Sequence, residues 1–290
     1  CQGCQFKEHE ARSQMIVDKI FSETGSINGL NGYHINLIKQ MIEPEPFSIG
    51  NIDKPLFSIV NNKETNIDVD KFDYLLRDPI HIGLDFSFDP SRIMLKSYAY
   101  GNEIVYDKSL ASNIFDLFYT RYKFHKEIYN HKTVKVIELM IGDALTRAND
   151  KYNFCSMLNV NDDFLKLDDS IYSNILFSDD GDLFKSKSII KRIENRNLYK
   201  QLYSKQIDNL NDWNEDEFIT DNYPDYNRDN LRVVKMKLNL GNGNKNPINK
   251  CLFRKHKNDL TSVIEGNEIE MSKLNMSDCE ENTIMIFDIN

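Results

Sequence analysis

The stretch Asn66 to Asp78, NIDVDKFDYLLRD, constrains the fold more than any other, because its charged, aromatic and aliphatic residues recur with a helical period. At about 100° per residue, Asp70, Lys71, Tyr74 and Asp78 share an arc of roughly 100°, and Val69, Phe72 and Leu76 gather opposite. A helix divided in this way packs one face and offers the other. Two carboxylates, an ammonium and a phenol side by side can hold a cation, a phosphate and sugar hydroxyls. The same pattern also describes a solvated face carrying an i,i+4 salt bridge.

The rest of the chain reads mostly as helix. Ile16, Val17, Ile20 and Phe21 mark a helix over 8–21 stopped at Thr24-Gly25, with His9-Glu10 in its first turn. Leu37, Ile38, Met41 and Ile42 mark a second helix ended by Pro44 and Pro46, and a short third runs from Pro55 to Asn62. Asp78-Pro79 is expected to close the central helix, leaving His81 and Gly83 in a loop. A small hairpin is expected to turn at Gly101-Asn102. From Asn113 to Asp150 only Gly142 interrupts the pattern, so this reads as the longest helical region. Within it Arg121, His125, Tyr129 and Lys132 share an arc of roughly 80°, a stripe suited to phosphate and sugar or to an exposed basic face.

Residues 164–177 and 183–203 read as further helices, the latter rich in Lys and Arg. Residues 208–230 are acidic, Asn-rich and poor in aliphatics around Trp213, which predicts a surface insertion or mobile connector. The period then changes to two at Val234, Met236, Leu238 and Leu240. A turn comes next at Gly241 to Gly243, with partner strands expected at 251–254 and 283–289. The fold class is therefore mainly α, a helical body followed by a small α+β lobe.

A chain of 290 residues with 40% hydrophobic and 28% charged residues is a soluble globular protein large enough for a sizeable core. No apolar run approaches a membrane span, and no signal peptide opens the chain, so an intracellular protein in nucleus or cytoplasm is expected, with no membrane partner. The five cysteines, Cys1, Cys4, Cys155, Cys251 and Cys279, argue against a disulfide framework, and the CxxC at Cys1 and Cys4 lacks a second pair to make a zinc site. A net charge of −9 disfavours nonspecific nucleic-acid binding. The chain opens on Cys1 rather than Met, which reads as a piece of a longer gene product.

Six pieces in order carry a resemblance to a known family: HExxS at 9–13, NIDVDKFDYLLRD at 66–78, HIG at 81–83, NIFDLFYTRYKFHKEIYNHK at 113–132, IENRNLYK at 193–200 and KNPI at 245–248. Together they resemble the sterile-alpha-motif and HD-domain dNTP triphosphohydrolases, which cleave a deoxynucleoside triphosphate, dGTP among them, to deoxynucleoside and triphosphate. The resemblance implies an incomplete HD-type core over residues 1–205, the acidic connector over 206–230 and the α+β lobe over 231–290. It implies that Asp70 completes the metal site and that His9 faces the phosphates. By the same resemblance Lys71 and Arg121 meet the triphosphate, Tyr74 and Asp78 hold the 3′-hydroxyl, His125 lines the pocket and Tyr129 crowds the 2′ position. Asn130 stands where the family has the longer glutamine. Arg92, Lys108, Asn113, His131, Lys132, Arg196 and Lys200 match an allosteric nucleotide site, with Tyr106 at what looks like an arginine position. A GTP or dGTP activator and a homo-oligomer, dimer or tetramer, are the partners that the resemblance implies.

The family binds its metal (Fe, Mn or Zn, with Mg on the triphosphate) through a histidine, a His-Asp pair and a distant aspartate, and this sequence contains no His-Asp dipeptide. Only the last ligand, Asp70, is matched, so the metal-binding half is expected to precede Cys1 and the chain to be inactive alone. The alternative is a non-catalytic nucleotide-binding, regulatory or oligomerisation module derived from the same family.

Overall fold

The computed structural model describes residues 8–25, 29–44, 54–84, 88–159, 161–241, 245–256, 259–269 and 280–290. Cys1, Cys4, Pro46, Gly243 and Cys279, on which parts of the sequence reading rest, lie outside the described residues. In chain order the elements are α1 (His9–Thr24), α2 (Gly32–Ile42), α3 (Lys54–Val60), α4 (Val69–Ile82), α5 (Ser91–Leu95), β1 (Ser97–Tyr100), β2 (Glu103–Asp107) and α6 (Ala111–Phe124). Next come α7 (Lys132–Tyr152), α8 (Phe154–Met157), α9 (Asn161–Phe164), α10 (Ser170–Phe177), α11 (Phe184–Glu194), β3 (Lys200–Ile207) and α12 (Glu215–Asn222). The strands β4 (Leu231–Leu238), β5 (Leu252–His256), β6 (Asp259–Glu265) and β7 (Glu281–Asp288) complete the set. The architecture is mainly α with a small α+β portion toward the C-terminus, and the chain divides into two compact units. Among the described residues no helix is long and apolar enough to cross a membrane.

The first unit takes residues 8–123 and 239–269. Asn31 starts α2 by accepting from the Tyr33 and His34 N–H groups, while His34 Nδ1 accepts from the Asn31 N–H at 3.2 Å. Asp68 does the same for α4, accepting from the Lys71 N–H at 3.3 Å. The sequence placed the end of α4 at Asp78-Pro79, but Pro79 lies inside the helix, which runs one turn further to Gly83 at φ 68°. A proline so near the end forfeits one hydrogen bond, and burial of Leu75 and Pro79 holds the last turn in place. His81 is therefore helical. The hairpin β1–β2 turns at Gly101 as expected. Returning from far along the chain, β5 pairs parallel with β2 and antiparallel with β6, giving the order β1-β2-β5-β6.

The second unit takes residues 124–238 and 280–290. The continuous helix expected over 113–150 is broken, and not at Gly142, which sits within α7. Residues His125–Tyr129 wind as a π-helix, closed by the Asn130 N–H on the His125 carbonyl at 3.0 Å. His131 then caps α7, accepting from the Thr133 N–H at 3.3 Å. Val136, Met140, Ala144 and Ala148, four residues apart, form one buried face of α7. Small residues let α11 come close, and the buried Ser186 hydroxyl donates to the Ala144 carbonyl at 2.6 Å.

Two more expectations are corrected in this unit. The helix expected over 164–177 is split, α9 ending at Phe164 and α10 starting at Ser170, whose N–H the Asp168 carboxylate accepts at 2.8 Å. That expected over 183–203 ends at Glu194, and Lys200 opens a strand. Residues 208–230, read as a surface insertion or mobile connector, are mostly exposed and contain α12, whose Ile219 packs with Leu231, Ile284 and Ile286 and with Trp213, Phe218 and Tyr223. Aromatics supply what aliphatics do not. Central in the order β3-β7-β4 is β7, whose buried run Ile284–Phe287 suits a strand covered on both faces. β4 and β7 pair as expected, whereas β5 joins the other sheet. Of the described cysteines Cys251 is a buried free thiol.

Candidate functional site

In the first unit α4 and α6 bring Tyr74 and Arg121 together. The half-buried Tyr74 phenol is pushed above its ordinary pKa by burial. The Arg121 guanidinium opposes this through its charge and a hydrogen bond, and the Asp70 and Asp68 carboxylates reinforce it. Asp70 itself is exposed in the first turn of α4, and Asp78 is half-buried with the Arg77 Nε 3.5 Å away. Lys71 does not stand free: its Nζ lies 3.0 and 3.2 Å from the two oxygens of Asp68, which is only 5% exposed. Asp68, which the sequence reading passed over, thus both starts α4 and holds the lysine expected on the triphosphate. An aspartate three residues before a lysine at a helix N-terminus is the signal that could have shown it. His9 opens α1 with its side chain 88% exposed and its Nε2 3.1 Å from Glu10.

His125, Tyr129 and Asn130 belong to the second unit, in and just after the π-helix. The Tyr129 ring meets His125 and Phe124 edge-on, at centroid distances of 5.1 and 6.2 Å. The Asn130 side-chain amide donates to the His125 carbonyl at 2.8 Å, so its donor is turned back on its own loop.

The seven residues matched to an allosteric site also divide between the units. In the first, Arg92 Nη1 donates to Asn113 Oδ1 at 3.0 Å, and Lys108 is exposed at the start of a short turn ahead of α6. Tyr106, at the expected arginine position, is buried, with burial raising its phenol and Thr65 hydrogen-bonded to it. In the second unit His131 and Lys132 cap and open α7, Arg196 adopts a left-handed backbone at φ 56°, and Lys200 is exposed at the start of β3.

A divalent metal needs several converging ligands. Among the described residues no group of three His, Cys, Asp or Glu side chains is placed to hold one, and Asp70 is the sole member of the expected ligand set in this sequence. The described residues do not make a metal site.

Against known proteins, the family profile described as an HD associated region matches residues 88–226. A protein named for an HD domain in Acanthamoeba polyphaga mimivirus is 33% identical over 271 residues, covering 85% of this chain and 57% of its own. The deoxynucleoside triphosphate triphosphohydrolase SAMHD1 homolog of Dictyostelium discoideum is 34% identical over 238 residues, covering 80% of this chain and 46% of its own. Human deoxynucleoside triphosphate triphosphohydrolase SAMHD1 is 36% identical over 160 residues, covering 50% and 25%. The chain thus spans about half the length of the first two relatives. With the HD-associated match across its middle and these relatives matching most of its length, the chain belongs to the HD-domain dNTP triphosphohydrolase family.

Proposed function

We propose that the chain is a fragment of a dNTP triphosphohydrolase, supplying the nucleotide-holding part of an enzyme that converts a dNTP, dGTP among them, and water to deoxynucleoside and triphosphate. The observation that carries this reading is the pairing of Tyr74 with Arg121 beside Asp70, a phenol and a fixed cation on one face. In this reading Arg121 and Lys71 neutralise the triphosphate, and Tyr74 and Asp78 hold the 3′-hydroxyl. By the family resemblance alone, His9 is assigned to the phosphates, His125 and Asn130 to the sugar, and Tyr129 to exclusion of a 2′-hydroxyl. The metal (Fe, Mn or Zn, with Mg on the triphosphate) would supply the activated water in the complete enzyme, and its other ligands are not in this sequence. Exposed apolar side chains, Ile80 at 78%, Met94 at 55% and Leu95 at 80%, support a chain that packs against further structure. By the family resemblance alone, Arg92, Lys108, Asn113, His131, Lys132, Arg196 and Lys200 are assigned to a GTP or dGTP activator, and the full enzyme to a homo-oligomer. An intracellular setting, nucleus or cytoplasm, fits that substrate.

One observation favours a second reading, a non-catalytic nucleotide-binding or oligomerisation module: among the described residues Asp70 has no companion metal ligands. Calorimetry with dGTP and chromatography of its products separate the two. Under the first reading the chain binds dGTP, and Arg121→Ala weakens binding roughly 10- to 150-fold, the value of a charge-assisted phosphate contact. No deoxyguanosine forms from the chain alone with Mn²⁺ or Mg²⁺, and forms once a metal-binding HD segment of the family is joined to it. Turnover by the chain alone would refute the fragment reading; no turnover after joining would favour the module.

A further inference from the structure

The turn Asn239 to Gly241 is anchored from three sides, all within the first unit. Leu240 is buried, Asn239 Oδ1 accepts from the Gly241 N–H at 2.7 Å, and the Gly241 carbonyl accepts from Asn66 Nδ2 at 3.4 Å. Asn66 is itself left-handed at φ 57° and leads through buried Ile67 and the Asp68 cap into α4, which carries Tyr74. Gly241 has φ 97°, where L side chains are strained. Its other side looks onto α6: an added Cβ would lie 3.5 Å from the Phe118 ring and 3.8 Å from Arg121 Nη1. A single peptide therefore spans the start of α4 and the guanidinium of α6 whose partner is Tyr74.

We infer that Gly241 is a positioning residue for the Arg121–Tyr74 pair: its peptide ties the start of α4 to α6, and its missing side chain leaves the flank of the guanidinium open. This rests on the reading of Arg121 as a phosphate-binding cation only in its consequence for ligands. The contact itself is independent of any ligand. A side chain at Gly241, strained at φ 97°, would turn the peptide away from its preferred φ and loosen the bond to Asn66 and with it the start of α4. The phenol on α4 and the guanidinium on α6 would then part.

The direct readout is the titration of Tyr74, followed by NMR of tyrosine labelled with ¹³C at Cζ, the resonance being assigned by its loss in Tyr74→Phe. Since the guanidinium lowers the phenol pKa, its displacement raises it, and Arg121→Ala marks the full effect. Gly241→Ala is expected to move the Tyr74 pKa toward the Arg121→Ala value. Asn66→Gly, which keeps the left-handed backbone and deletes only the amide donor, should move it in the same direction and guards against a misfolded Gly241→Ala. A merely structural role lowers the melting temperature and leaves the Tyr74 titration of the folded protein where it is in wild type. An unshifted titration in Asn66→Gly and in any folded Gly241→Ala overturns the inference. Inorganic tripolyphosphate, titrated by calorimetry into the same variants, tests the ligand reading separately. Weaker binding in Gly241→Ala or Asn66→Gly supports both readings. A shifted Tyr74 titration without tripolyphosphate binding by wild type keeps the positioning role and removes the phosphate role.

Discussion

Removing the Asp107 carboxylate should destabilise the first unit by about 3 to 5 kcal/mol, the cost of leaving a buried charge without its partner. Asp107 on β2 lies opposite Arg254 on the parallel strand β5, with Oδ2 and Nη2 2.7 Å apart and side chains 15% and 10% exposed. At an effective dielectric constant of about 20 that separation gives a Coulomb attraction of roughly 6 kcal/mol, of which desolvation cancels a part. Arg254 has little to fall back on. Its Nη2 also donates to the Tyr98 hydroxyl at 2.9 Å and its guanidinium lies over the Tyr98 ring at 4.1 Å, but its Nε is buried without a partner. Hydrogen bonding from Arg254 holds the Asp107 carboxyl well below the usual carboxylate range, burial opposing and Ser109 assisting. A depressed folded pKa contributes stability that is complete above the unfolded value of about 3.9 and is lost as pH falls through the lower folded one. At neutral pH the pair is therefore fully formed. The assay is urea unfolding by far-ultraviolet circular dichroism with hydrogen exchange of β2 and β5, because Trp213 reports on the other unit. Asp107→Ala should show the full loss and accelerate exchange in both strands, while Asp107→Leu with Arg254→Met should recover most of it. A loss below about 1 kcal/mol in Asp107→Ala, or a double variant no better than the single one, would refute the reasoning.

Three further outcomes are expected. In Gly266→Ala the new Cβ would lie 1.8 Å from the Ile248 carbonyl oxygen, so the backbone must move and strain the Gly266 N–H bond to the Cys251 carbonyl; a loss of about 1 to 3 kcal/mol, measured by urea unfolding, is expected. Arg196→Gly should stabilise the second unit by up to about 1 kcal/mol, since Arg196 holds φ 56° where the chain leaves α11 and Asn197 N–H reaches the Arg192 carbonyl; thermal melting checks it. Burial pushes the Cys251 thiol up to about 12, so at about pH 8 it should resist alkylation in the folded protein and react once guanidinium unfolds it, as peptide mass mapping would show.

The fold was legible where the period of a segment and its covering agree. The helices α1 to α4 and the strand β7 were visible because their apolar residues recur at three to four or run together, and Gly25 and Gly101 stand where left-handed backbone is needed. What could not be read was which strands share a sheet. Neither the alternation of β4 nor the short stretch of β5 marks its partner, yet β4 pairs with β7 and β5 with β2, a choice made by segments far apart in the chain. Nor could composition show that Trp213, Phe218 and Tyr223 would bury themselves around Ile219, since acidic neighbours dilute them along the chain and not in space.

The candidate site shows the same division at finer scale. Helical spacing places Asp70 and Tyr74 on one face of α4 because face membership depends on one element alone. What that face meets depends on others, and Lys71, expected to reach outward, is held by an aspartate of its own capping turn. The second stripe assumed an unbroken α-helix through Arg121, His125, Tyr129 and Lys132. The π-helix at His125–Tyr129 inserts extra backbone, and each inserted residue rotates the rest of the helix by about 100° out of register. Asn130 then stabilises that winding, its side chain donating to the same His125 carbonyl that its own N–H reaches. A glutamine at this position, one methylene longer, could reach past that carbonyl, so the substitution that the sequence marked as a departure is also the residue that closes the π-turn.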